Sequence, residues 1–117
     1  MIYVVDDDAS IRKALDRLFR SAGLPVQVFA SGLDFQRTVS LAAGDCLVMD
    51  LCMPANSSLA VQDAMGGRDL KIPLIAISAR DDVETRARAR ALGASAFFRK
   101  PVDDQALLDA ISWVTHN

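Results

Sequence analysis

The chain has 117 residues, of which 51% are hydrophobic, 24% charged and only 6% aromatic, with a formal net charge of −2 at pH 7. That length fits one domain with an aliphatic core, and the slightly acidic balance argues against general affinity for nucleic acid. The two cysteines, Cys46 and Cys52, fit no Cys-x-x-Cys spacing, so packing is favoured over redox or zinc chemistry and a reducing cytoplasm is the expected location. Met1 leads straight into a short apolar run closed by three aspartates, which is no signal peptide. No stretch approaches the ~18 apolar residues of a membrane span.

Short apolar runs alternate with helical patterns along the whole chain, the rhythm of a parallel βα sheet. Ile2 to Val5 form the first strand, ending at Asp6-Asp7-Asp8. Asp8 caps a helix whose apolar face is Ile11, Leu15, Leu18, Phe19 and Ala22, stopped by Gly23. Val26 to Phe29 make the second strand, and Ser31-Gly32 opens a helix carrying Leu33, Phe35 and Val39. The third strand, Cys46 to Met49, ends at Asp50, and Leu51-Cys52-Met53-Pro54 forms a turn expected to hold that carboxylate clear of the fold. A weakly patterned helix is expected from about Ser58 to Met65, ended by Gly66-Gly67. Leu74 to Ile77 make the fourth strand, stopping at Ser78; residues 82 to 92 form the fourth helix; Ala96 to Phe98 form the fifth strand, just before Lys100-Pro101. Asp103 caps a last helix with Leu107, Leu108, Ile111 and Val114 inward and Trp113 on the opposite side.

Strands one, three and four are apolar throughout, as central parallel strands with both faces covered should be, whereas Gln27 and Arg99 mark strands two and five as edges. Right-handed crossovers then favour a doubly wound α/β sheet of order 2-1-3-4-5. In that arrangement Asp6, Asp7, Asp50, Ser78 and Lys100 emerge at one carboxyl edge, where such sheets build ligand sites.

Two carboxylates about 4 Å apart repel by ~4 kcal/mol at an effective dielectric of 20, so an acid cluster there needs shared protons or a cation. Oxygen ligands with room for water and a phosphate suit Mg²⁺ or Mn²⁺. Asp7 and Asp50 are assigned to direct ligation and Asp6 to ligation through water. A carboxylate beside such an ion is also a competent nucleophile for phosphoryl transfer. Lys100 and the Ser78 hydroxyl would then meet the remaining phosphoryl oxygens.

Four blocks, Val4-Val5-Asp6-Asp7-Asp8, Val48-Met49-Asp50-Leu51-Cys52-Met53-Pro54, Ile77-Ser78-Ala79 and Phe98-Arg99-Lys100-Pro101, give the chain a close resemblance to the receiver domains of two-component response regulators, nearest to the FixJ/NarL-like group. The resemblance runs from Ile2 to about Val114 and implies one receiver domain over residues 1–117 with the flavodoxin-like five-stranded fold. It implies phosphorylation of Asp50 by the phosphohistidine of a sensor histidine kinase or phosphotransfer protein. Mg²⁺ would be held by Asp7, Asp50 and the backbone carbonyl of Cys52, with Asp6 in support. Lys100 would pair with the phosphate, Ser78 would move to bind it, and Lys100-Pro101 would be a cis peptide. Phe97 stands where the family often has a tyrosine coupled to that movement; lacking the phenolic hydroxyl, it is expected to act by packing alone. Ala55-Asn56-Ser57-Ser58 replaces the family's glycine-containing loop, which puts the start of the third helix in question.

Such a domain is not an enzyme beyond its own phosphorylation and dephosphorylation. Its output surface is the fourth helix, fifth strand and last helix, where a homodimer or an output domain would dock. Arg86, Arg88 and Arg90 fit a solvated helix face. Most receivers of this group precede a DNA-binding half, so the expected parent is a transcription regulator if the chain is part of a longer protein, and a stand-alone receiver passing its signal by contact if it is not. Three rivals stand beside this. A phosphatase with an aspartate nucleophile commonly carries a second carboxylate two residues on, where this chain has Cys52. A flavin binder would need a Ser/Thr/Gly-rich phosphate loop after the first strand. An unphosphorylated scaffold would be indifferent to Asp50→Asn.

Overall fold

Successive side chains of a strand face opposite sides of its sheet, and in the computed structural model of this chain that alternation divides the core in two. The structure describes residues 1–66 and 72–116. The strands are β1 (Ile2–Val5), β2 (Val26–Phe29), β3 (Cys46–Asp50), β4 (Leu74–Ser78) and β5 (Ala96–Arg99). The helices are α1 (Ala9–Ser21), α2 (Gly32–Thr38), α3 (Ala55–Gly66), α4 (Val83–Ala91) and α5 (Asp104–His116). All strand pairs are parallel, in the order β2-β1-β3-β4-β5. The doubly wound order expected from the crossover argument is therefore the observed one.

On one face Tyr3, Val5, Leu47, Met49, Leu74 and Ala76 pack with Phe35 of α2, Val61 of α3 and Ala89 of α4. On the other, Ile2, Val4, Cys46, Val48, Ile75 and Ile77 pack with Leu15 and Phe19 of α1 and Leu107 and Ile111 of α5. Every residue of β1, β3 and β4 is buried, while Gln27 and Arg99 of the two edge strands are exposed.

Helix starts follow their side chains. Asp8, Ser31 and Asp82 accept hydrogen bonds from the backbone N–H of Ser10, Asp34 and Thr85, and Asp103 accepts from Ala106. Two apolar assignments are corrected. Ala22 is exposed and closes α1 by giving its N–H to the carbonyls of Leu18 and Phe19. Leu33 is also exposed, because α2 is only two turns long and turns Phe35 inward.

Helix α3 begins three residues earlier than the sequence suggested. The Pro54 carbonyl accepts from the N–H of both Ser57 and Ser58, so the helix starts directly after the proline. Among the described residues only glycines have positive φ, which means that Ser58 needs no glycine in its place. The expected stop at Gly66-Gly67 reaches beyond the described residues at Gly67. Helix α2 lies against this segment so closely that a Cβ on Gly32 would come within 1.9 Å of the Ser57 carbonyl oxygen. Lys100-Pro101 is cis.

Candidate functional site at the carboxyl edge

The register brings the strand ends together. Val5 pairs with Met49, Asp50 with Ile77 and Ser78 with Arg99, so the residues just beyond β1, β3, β4 and β5 lie side by side. Carboxylate oxygens of Asp6, Asp7 and Asp50 all lie within 4.8 Å of one another. Asp7 is exposed, Asp6 is wholly buried, and Asp50 is only 2% exposed. The expectation that the turn would hold Asp50 clear of the fold is thus corrected. Its carboxylate is drawn in by the Cys52 N–H, which donates to Oδ1 at 3.0 Å, and by Lys100 Nζ at 3.4 Å from Oδ2.

Lys100 reaches across from the end of β5 and stands 3.0 Å from Asp6 Oδ2. That contact is an ion pair without an aligned hydrogen bond, and Asp6 Oδ2 is left buried with no donor directed at it among the described residues. Asp6 Oδ1 accepts from the Asp8 N–H at 2.9 Å. Burial works against the charge on Lys100, but the Asp6 and Asp50 carboxylates outweigh it and hold its pKa above the usual value. Burial is also the main influence on Asp50 and raises its pKa, with Asp6 adding to the rise and the Cys52 N–H and Lys100 opposing it. Asp6 and Asp50, paired with one ammonium, and the exposed Asp7 beside them make an oxygen-rich pocket fit for a hard divalent cation.

Ser78 is fully buried at the end of β4. Its hydroxyl accepts from the Arg80 N–H at 3.0 Å and lies 3.0 Å from Cys52 Sγ. Phe97 is half-buried against the inner cluster, and the Arg86 guanidinium sits 5.1 Å from its ring centroid. Asp81 holds Arg86 in place by an ion pair. Packing alone therefore does not describe Phe97, because a cation–π contact covers its outer side. A cavity of about 170 Å³ beside it is lined by Arg86, Ala89, Arg90, Ala94, Ala96 and Phe97.

Two participants were not foreseen. Arg12 donates to the Asp6 carbonyl at 2.8 Å, tying α1 to the end of β1. A cation in the first turn of a helix opposes the macrodipole, and that misfit was its available signal. The contact of Cys52 with Ser78 joins residues 26 apart in sequence and left no local trace.

A 2-1-3-4-5 parallel sheet with an acid cluster and a lysine at its carboxyl edge defines a doubly wound α/β domain whose site is built from four strand ends. The family model described as response regulator receiver domain matches residues 2–112. Nodulation protein W of Bradyrhizobium diazoefficiens is 38% identical over 111 residues, covering 95% of this chain and 49% of that protein. Response regulator protein TmoT of Ectopseudomonas mendocina is 40% identical over 111 residues, covering 95% of this chain and 50% of that protein. Among solved structures, a response regulator receiver protein from Burkholderia phymatum superposes with a TM-score of 0.83 at 36% identity, over 98% of this chain and 94% of that one. Full-length FixJ from B. japonicum gives 0.78 at 31% identity, over 98% of this chain and 57% of that one. The chain belongs to the response regulator receiver family of two-component signalling. It spans about half the length of the curated relatives it matches.

Proposed function

We propose that residues 1–117 act as a phosphorylation switch in which Asp50 accepts a phosphoryl group from the phosphohistidine of a sensor histidine kinase or a phosphotransfer protein. The observation that carries this is the pairing of a buried Asp50 carboxylate with Lys100 on one side and the Asp6–Asp7 carboxylates on the other. An Asp50 carboxylate oxygen forms the bond to phosphorus, the P–N bond of the donor breaks, and its electron pair returns to the imidazole. In this reading Lys100, 3.4 Å from Asp50 Oδ2, meets one phosphoryl oxygen and Ser78 another. Asp7, Asp50 and the Cys52 carbonyl would hold Mg²⁺ or Mn²⁺, with Asp6 reaching it through water. When bound, the cation neutralises charge on the phosphoryl oxygens during transfer. Apart from its own phosphorylation and dephosphorylation, the domain has no catalytic task.

Phosphate on Asp50 draws the Ser78 hydroxyl towards it, Phe97 turns inward with it, and the surface of α4, β5 and α5 changes. Among the described residues no helix is long and apolar enough to cross a membrane. A cytoplasmic regulator is proposed, with a net charge that leaves nucleic acid to an output half such as transcription regulators carry. The α4–β5–α5 surface is also proposed as the site of a phosphate-dependent homodimer, which light scattering with and without a phosphoryl mimic tests. An unchanged mass sinks the dimer alone.

The test of the switch chemistry is intact mass after incubation with acetyl phosphate, with Mg²⁺ or with chelator. Wild type should gain one metal-dependent phosphoryl adduct and Asp50→Asn none. An adduct that persists in Asp50→Asn, or none under any condition, overturns the assignment.

A further inference from the structure

The Ser78 hydroxyl has one proton to donate and stands in a fully buried position. Its oxygen already accepts from the Arg80 N–H, and the second partner it meets among the described residues is Cys52 Sγ at 3.0 Å. Cys52 is otherwise exposed, at the mouth of a cavity of about 250 Å³ between the turn after β3 and the start of α4, so nothing in core packing requires its side chain. From these contacts we infer that the Cys52 thiol is a positioning residue for Ser78, a latch that satisfies the hydroxyl in the resting form. The inference rests on the phosphoacceptor reading of Asp50.

The physical consequence is a competition. Either atom could be the donor in this pair, and the latch assigns that role to Ser78: a hydroxyl that donates to Cys52 Sγ must give up that contact to donate to a phosphoryl oxygen on Asp50. Removing the sulfur leaves the hydroxyl short of a partner only in the resting form, which raises that form relative to the phosphoryl-bound one. The thiol thus weakens phosphoryl binding by the strength of one hydrogen bond. Cys52 reaches Ser78 with its side chain, whereas the expected metal contact uses its backbone carbonyl, so side-chain truncation separates the two roles.

The measurement is the affinity of the intact chain for beryllofluoride, a phosphoryl mimic, by titration calorimetry at saturating Mg²⁺. Cys52→Ala should bind about three- to tenfold more tightly than wild type, the equivalent of one lost hydrogen bond. Cys52→Ser, which restores a hydrogen-bonding atom, should bring the affinity most of the way back. In a Ser78→Ala background the Cys52→Ala gain should vanish, because nothing remains to be latched. Equal or weaker binding by Cys52→Ala, or a gain that survives in Ser78→Ala, overturns the latch while leaving the phosphoacceptor intact. If wild type does not bind the mimic at all, the phosphoacceptor reading falls and takes the latch with it.

Discussion

Asp50 and Cys46 occupy the same buried strand, and each carries a cost that solvent conditions expose. For Asp50, burial is the leading cause of a raised pKa. A carboxyl group whose folded pKa exceeds its unfolded value adds stability that is full below about pH 4 and lost as pH rises through the folded pKa. Ionised Asp50 is therefore a net cost at neutral pH in the absence of metal. With chelator at pH 7, Asp50→Asn should melt above wild type, and the gap should close as pH falls towards 4. A gap that widens on acidification would contradict the sign. Burial likewise pushes the Cys46 thiol up to about 11, against a small opposing effect of the N-terminal amine. Cys52 is exposed. Native alkylation near pH 8 should add one group, at Cys52, and a second only after denaturation, as peptide mapping by mass spectrometry would read out. The site residues were legible in the sequence because each one ends an apolar run. Their burial was not, since whether a turn carries a carboxylate outward or folds it back depends on hydrogen bonds such as that from the Cys52 N–H.

At the scale of elements, the contact of α2 with α3 is the least forgiving. A methyl on Gly32 would meet backbone rather than a movable side chain. Gly32→Ala should cost about 1–3 kcal/mol in denaturant unfolding, the range of an overpacked core; a neutral result would mean that the two helices part freely. Asp8→Ala removes the α1 cap and should cost about 1 kcal/mol. The five strands and the starts of α1, α2, α4 and α5 were readable to within about a residue because apolar period and capping side chains agree in them. The start of α3 was missed for a definite reason. Its apolar pattern is weak, and the helix is begun by a proline carbonyl, which leaves no capping side chain to read.

For the molecule as a whole, the strand order came from crossover handedness and the apolar character of three strands, and both facts are global. What no periodicity could supply was contact between side chains of different elements, such as the exposed Arg86 over the half-buried Phe97. Because three carboxylates cluster beside one ammonium, a divalent cation that binds the folded form should stabilise it. At a concentration 100 times its dissociation constant, Mg²⁺ should add about 2.7 kcal/mol, and Asp7→Asn should remove most of that gain in thermal melts. Equal stabilisation of wild type and Asp7→Asn would place the ion elsewhere.

Lys100 directly follows β5, the last strand in sequence and an edge of the sheet, paired to β4 alone. Among the described residues, the ammonium that meets Asp6 and Asp50 is therefore delivered from the end of an edge strand, the part of a sheet most prone to fraying. Detachment would strand Asp6 and Asp50 against each other, so charge repulsion at the site and fraying of the edge strengthen one another. Deuterium uptake at the amides of residues 96 to 99 becomes a reporter of how the cluster is neutralised, slowing wherever a bound cation or phosphate gives Lys100 a firmer hold.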